Sequence, residues 1–476
     1  MMMRKRAVAA FAVIIGALLV MSGLTGCGNG NTEEENNPYG PLGYIEETLE
    51  GGFVIRNYKD GSRTLSNYTG NATEVTIPAG IIKIEGWAFS DNDSITKVTI
   101  PDSVTTIDEW AFSGCVSLIK LEIPDSVTTI GERAFYGPTY FPNNGEQCPM
   151  KLEEVIIGKG LKTIGEDAFG YCDNIKTVSY KGTLKEWCAV DKDGSLLYSA
   201  ESVRLADTEV PDLKKKAVDD GFKISIPAGV TRIGNASFYH STLTSIDIPD
   251  SVTSIGKDAF SNCKLTAMPS LKNVTEIGER AFYYCTVSEN GVPKDVKLEI
   301  PKVTSIGKNA FRECNIISVT IPNSMTKIGE GAFEYCDKLT EVTIPTTVTE
   351  IGSEAFWGCR QLATITIPNS VTKIGYYALA GCAFTEIEIP ASVTKICNSA
   401  FSGNSKLESV VFEDPNGWWR TENVDYVDEE AVPVGGEAVS SELMSNNTEI
   451  ARQLTDITDI IAEGGIAHKY YYYKQR

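Results

Sequence analysis

The chain has 476 residues and sets 43 Lys and Arg against 63 Asp and Glu, a formal charge of −20. A surface that acidic repels nucleic acid and anionic lipid, so neither is expected as a partner. The two histidines, His240 and His468, lie far apart in sequence, which argues against histidine-based catalysis and histidine-rich metal sites.

The chain begins with a targeting segment. Arg4, Lys5 and Arg6 precede an apolar run from Ala7 to Met21, too short to cross ~30 Å of hydrocarbon comfortably. The run closes on Leu24-Thr25-Gly26-Cys27. That string resembles the lipobox of bacterial lipoproteins, which implies cleavage before Cys27 and lipidation of its thiol. The plainer alternative is an ordinary signal peptide with an incidental cysteine. Stable tethering takes more than one acyl chain. Residues 1–26 are thus expected as signal peptide. Residues 27–43 are expected as a flexible spacer, because Gly28 to Gly40 is rich in Gly, Asn and Glu and poor in apolar side chains. Phe53-Val54-Ile55 and Thr64 to Tyr68, split by Lys59-Asp60-Gly61-Ser62, predict a hairpin cap within 44–70.

Next comes a repeat. Phe, usually behind Ala, returns at Phe89, Phe112, Phe135, Phe169, Phe238, Phe260, Phe282, Phe311, Phe333, Phe356 and Phe401, with Leu379 once in its place. Most steps are 22 or 23 residues, the period of a solenoid. In one unit, Val342 and Ile344 alternate with Glu341 and Thr343, which predicts a short half-buried strand. Pro345 cannot donate to a ladder and turns the chain. Val348 and Ile351 point inward again, Gly352 permits a bend, and Ala355-Phe356 inserts one large ring. No single unit can bury its own apolar face, so the units must stack.

The stretch "LTEVTIPTTVTEIGSEAFWGC", from Leu339 to Cys359, resembles the repeat of the BspA-like leucine-rich repeat family of bacterial surface proteins. The likeness extends over about Tyr58 to Glu413. It implies a repeat solenoid of the leucine-rich-repeat type: a curved right-handed coil, β-rich with short helical turns, capped at both ends. It also implies a place on the cell surface. Several family members are regarded as adhesins for host matrix or other bacteria.

Repeats are expected over 71–180 and 222–412. The stretch 181–221 reads as degenerate repeats or an insertion, since Tyr180, Val203 and Ile226 still fall 23 residues apart. Within it Thr183 is expected to cap a short helix. Insertions follow Phe135 and Phe282, both before the next strand. Residues 413–476, with Trp418, Trp419 and the run Tyr470 to Tyr473, are expected to form a C-terminal capping module that includes a helix near Ser440 to Ile457.

Eight cysteines share one repeat position: Cys115, Cys172, Cys263, Cys285, Cys314, Cys336, Cys359 and Cys382. Small side chains stacked one period apart favour buried thiols over a partial set of disulfides, although a surface setting permits the latter. Cys148, in the first insertion, is the best candidate for an exposed thiol. No C-x-x-C pair exists, and Asp191-Lys192-Asp193-Gly194 brings its glycine too early for an EF-hand. Nucleophile, phosphate-loop and zinc-protease motifs are missing, so no catalytic residue, metal or cofactor is assigned.

The partner-binding residues are read from the strands. Just before the last apolar residue of each strand sit Thr99, Glu122, Asp247, Glu299, Thr320, Thr343, Thr366 and Glu388, a Thr and acid ladder on the outward face. Thr suits strands in any case, but repeat proteins bind along such faces. Tyr335 and Trp357 fall between core positions and line an exposed edge. The reading is a monomeric, lipid-anchored protein on the extracellular face of the cell membrane or outer membrane. It would bind an extracellular protein, host matrix or bacterial surface, touching the membrane through its lipid alone. A glycan is the alternative ligand.

Overall fold

The computed structural model describes residues 43–137, 150–206, 213–215, 222–289 and 292–416, residue 448, and the strand segments 418–421, 424–427, 430–433, 437–438 and 471–474. Cys27, the spacer before residue 43, most of the first insertion with Cys148, and nearly all of the helix expected near Ser440 to Ile457 lie outside the described residues.

The described chain is a β-solenoid with almost no helix. Each regular coil has three sides, and each side joins its neighbour by backbone hydrogen bonds. The first side is the alternating strand. Glu74, Val75 and Thr76 pair in parallel with Lys97, Val98 and Thr99, and Lys120–Ile123 pairs with Glu154–Ile157. Burial alternates as the period demands: Lys120 and Glu122 are exposed, Leu121 and Ile123 buried. The second side is a two-residue strand past the proline turn, as in Lys83–Ile84, Thr106–Ile107 and Thr129–Ile130, again parallel. On the third side the Phe112 amide donates to the Ala134 carbonyl at 2.7 Å, the Phe311 amide to Ala332 at 3.0 Å and the Phe356 amide to Ala378 at 2.9 Å.

The recurring residues each satisfy a need of this geometry. Pro ends the strand, and the valine three residues on donates back to it, Val104 to Pro101 at 3.0 Å and Val348 to Pro345 at 3.1 Å. Ser and Thr bridge coils: Ser126 Oγ donates to the Val104 carbonyl at 2.7 Å, and Thr372 Oγ1 to Thr349 at 3.2 Å. A Cβ at Gly131 would collide with the backbone of Glu109 in the coil beneath. The Phe rings stack along the axis, with Phe89 and Phe112 4.6 Å apart and Phe282 and Phe311 5.3 Å apart, all nearly parallel. Leu379 fills the same slot, fully buried.

All ten cysteines of the described residues are buried. The repeat cysteine donates to the Phe carbonyl of the preceding coil: Cys115 to Phe89 at 3.2 Å, Cys263 to Phe238 at 3.0 Å, Cys314 to Phe282 at 3.0 Å. In the last coil Asn404 makes this bond, to Leu379 at 2.8 Å. The position therefore wants a small buried donor.

The irregular stretch departs from the expected register. Thr177–Tyr180 pairs with Ser202–Leu205 so that Val178, not Tyr180, faces Val203. Phe222–Ser225 does not continue that sheet; it pairs with Leu243–Asp247 and opens a new one. The cause is a pair of helices, Leu184–Ala189 and Ser195–Ser199, that replace a two-residue strand and a Phe turn. Thr183 caps the first in a capping box with Glu186. Trp187 is fully buried and its Nε1 donates to the Ser237 carbonyl at 2.8 Å. Lys192 is buried too, donating to the carbonyls of Trp187 at 2.9 Å and Val190 at 2.6 Å. Burial pushes its amine down to about 7. The flanking acids serve the protein. Asp191 holds Arg232 at 2.7 Å, and Asp193 accepts from Ser195. Among the described residues no cluster of His, Cys, Asp and Glu is arranged to hold a metal.

The ends add antiparallel strands. Tyr44–Leu49, Phe53–Tyr58 and Arg63–Tyr68 form a meander whose last strand leads into Lys83–Ile84. At the far end Tyr471–Lys474 lies between Lys395–Ile396 and Trp418–Thr421, antiparallel to both. The insertion after Phe282 folds as a small hairpin, Ser288–Glu289 against Val292–Pro293. No described helix is long and apolar enough to cross a membrane.

Candidate functional site

All eight outward residues of the strand side are exposed. The structure does not join them into one ladder. Thr99 and Glu122 lie in a seven-stranded sheet; Asp247 lies in a two-stranded sheet beside Ser225; Thr320 pairs with Thr343 in a three-stranded sheet; and Glu388 pairs with Val411 in another two-stranded sheet. Glu299 and Thr366 fall just outside the regular strands.

Two groups do converge. Glu299, Thr320 and Thr343 line an open cavity of about 920 Å³ walled by Pro301, Pro322 and Pro345. Thr99 and Glu122 line a second, of about 550 Å³, with Lys97, Lys120 and Lys181. The proline turn positions the first group. It stops each strand at the same height, so three successive coils present one hydroxyl or carboxylate each beside one pyrrolidine ring.

The face is not bare acid. Lys181 sits 2.8 Å from Glu122, and its hydrogen bond holds that carboxyl below the ordinary value. Lys223 at 2.9 Å does the same for Asp247, with help from Ser225. Lys120 pairs with Glu154 at 2.9 Å and Lys176 with Glu153 at 2.8 Å. The charges largely cancel locally, which leaves shape and hydroxyls as the recognition features.

A second exposed feature was barely visible in the sequence. Aromatic side chains border the Phe side along the outside. Trp87, 55% exposed, stacks on Trp110 at 4.8 Å. Trp110 meets Tyr136 at 5.7 Å and Tyr136 meets Tyr171 at 5.1 Å. Arg133 lies over both Trp110 and Tyr136. Further along, Tyr335 meets Trp357 at 5.1 Å and Trp357 meets Tyr377 at 5.3 Å. Tyr335 and Trp357 were expected on an exposed edge; the signal for the others was positional, since these residues fall two before, one after or two after the repeat Phe.

Residues 61–188, 222–340 and 290–408, together more than half of the chain, match the family model described as BspA type Leucine rich repeat region. Among solved structures, a leucine rich cell surface protein from Faecalibacterium prausnitzii A2-165 is similar at 26% identity, over 78% of this chain and 95% of that one, with a TM-score of 0.42. A leucine-rich repeat protein from Bacteroides ovatus ATCC 8483 is similar at 24% identity, over 77% and 92%, with a TM-score of 0.44. The pneumococcal vaccine antigen PcpA is similar at 18% identity, over 69% and 90%, with a TM-score of 0.34. No curated protein matches the chain.

Proposed function

We infer, since the chain belongs to the BspA-type leucine-rich repeat family, that it is a non-catalytic bacterial cell-surface protein whose strand side binds an extracellular protein, as an adhesin does. The observation that carries this is the Glu299, Thr320 and Thr343 groove. Three adjacent coils expose three predicted side chains around one open cavity of about 920 Å³. An open, proline-walled groove with one acid and one base in its lining, Glu299 and Lys302, suits the contour of another protein. The anchor in this reading is a lipid on Cys27.

The test is binding to arrays of matrix proteins and of bacterial surface proteins, with Thr320→Lys, Thr343→Lys and Thr366→Lys combined as the control. Saturable binding lost in the triple variant supports the strand side. Binding that survives it places the site elsewhere. Metabolic labelling with an alkyne fatty acid tests the anchor: label on the parent and none on Cys27→Ser is expected, and equal label on both refutes it.

A further inference from the structure

Three successive Phe turns interrupt the aromatic border in a particular way. Tyr284, Glu313 and Tyr335 each stand two residues past the repeat Phe, in coils one after another. All three have left-handed backbone, with φ of 56°, 60° and 54°. That conformation strains a residue bearing a Cβ. Gly114, Gly358, Gly381 and Gly403 occupy the same position in other coils with φ of 64° to 74°. Asp91, Tyr171, His240 and Asn262 hold it with the same left-handed backbone in four more, so what sets these three coils apart is that two phenols and a carboxylate stand there one after another.

The three line an open groove of about 600 Å³, within the size range of small-ligand sites. Tyr284 forms one wall and donates to Glu313. Tyr335 forms the other, its ring laid over Gly358 so closely that a Cβ there would collide with it. The walls stand two coils apart, about 10 Å between backbones. A ring stacked on both would take up ~7–8 Å in its two contacts. Thr286, Ser288 and Asp337 supply hydroxyls and a carboxylate at the rim. The cations near the groove are already paired: Arg312 with Glu313 at 3.5 Å and Glu334 at 3.1 Å, Lys338 with Asp295 at 3.5 Å, Arg360 with Asp337 at 3.7 Å.

The geometry points to a saccharide subsite for a neutral hexose within a longer chain. Phenol walls take the apolar faces of a pyranose ring, and the carboxylates and hydroxyls between them take its equatorial hydroxyls. Local charge balance disfavours a uronic acid or a basic peptide. The groove is open, so a chain passes through it rather than ending in it. The site lies at the entry end of the strands Val296–Leu298, Ile316–Thr320 and Glu341–Thr343, while the proline-walled groove lies at their exit. The two ligands are therefore independent.

Trp357, in ring contact with Tyr335, is a built-in reporter. The experiment titrates the full chain with maltohexaose, cellohexaose, mannohexaose and polygalacturonate, read by tryptophan fluorescence and calorimetry. One neutral hexaose should bind. Tyr284→Ala and Tyr335→Ala should each weaken it roughly tenfold, Tyr284→Phe by less, and Thr343→Lys should leave it unchanged. Both tyrosines are at the surface, and an unaltered circular dichroism spectrum verifies folding. Binding of none of the neutral sugars, preference for polygalacturonate, or affinity indifferent to both Tyr→Ala changes would each overturn the proposal.

Discussion

Raising the pH should unravel this protein steeply, because the solenoid buries thiols that an unfolded chain ionises. Burial pushes the thiols of Cys188, Cys263 and Cys382 up to about 12. It holds those of Cys172, Cys285, Cys314, Cys336 and Cys359 well above the ordinary value. An unfolded cysteine titrates near ~8.5. A raised folded pKa contributes stability that is whole below the unfolded value and is lost as pH climbs toward the folded one. Above about pH 9, then, the folded chain retains protons on these eight thiols that the unfolded chain has released. Each costs ~1.36 kcal/mol per pH unit, so eight cost about 11 kcal/mol per unit. A folded domain is held by only ~5–15 kcal/mol, so unfolding should finish within roughly one to two units past pH 9. Far-UV circular dichroism along a pH series, with urea titrations at each pH, measures the slope. The comparison is the triple variant Cys314→Ser, Cys336→Ser, Cys359→Ser. A hydroxyl keeps the donor to the carbonyls of Phe282, Phe311 and Phe333 and does not ionise in this range. The slope should fall to about 7 kcal/mol per unit and the alkaline midpoint should rise. A midpoint identical to the parent's would show that these thiols do not govern alkaline unfolding.

Three other outcomes follow from the core. Phe311→Ala should cost about 3–5 kcal/mol in urea denaturation, whereas Phe311→Leu should cost under ~1.5 kcal/mol, since Leu379 fills the same position naturally; equal losses would contradict the stacking account. Glu334 is fully buried, and burial raises its carboxyl to about 7. A raised acid contributes stability below its unfolded value that is lost as pH rises through the folded one, so Glu334→Gln should gain on the parent as pH rises from 4.5 to about 7, and a difference flat in pH over that window would refute this. A thiol reagent at neutral pH should score at most Cys27 and Cys148 until the chain unfolds, because the other ten cysteines are buried; fast reaction of a third would be contrary.

The regular coils were legible because each buried position answers one need, so the same letters return. Strand alternation alone placed Thr320 and Glu122 outward. Sheet boundaries were not legible, because they depend on how far one coil's strand extends: Thr366 keeps its outward position yet lies outside any regular strand. The stretch from Tyr180 to Ile226 misled because its 23-residue spacing survives while its contents change. Two helices lengthen the path, and the pairing shifts to Val178 opposite Val203. Tyr335 was read as lining an exposed edge, but Tyr284 escaped notice for another reason. Its position is set by left-handed backbone next to the Phe, and burial there changes from coil to coil, from buried Gly114 and Gly358 to exposed Tyr171 and Tyr284, so no periodicity reports it.

The three hydrogen-bonded sides of each coil have a mechanical consequence. The bonds run along the axis, between coils, so a load applied between the two ends peels one coil from the next instead of shearing a sheet. Most releases free one repeat of 22 or 23 residues, about 75 Å of slack at ~3.3–3.6 Å per residue. Extension under force should come in steps of that length. The helical stretch from Leu184 to Ser199 and the insertions after Phe135 and Phe282 should mark longer steps among even ones.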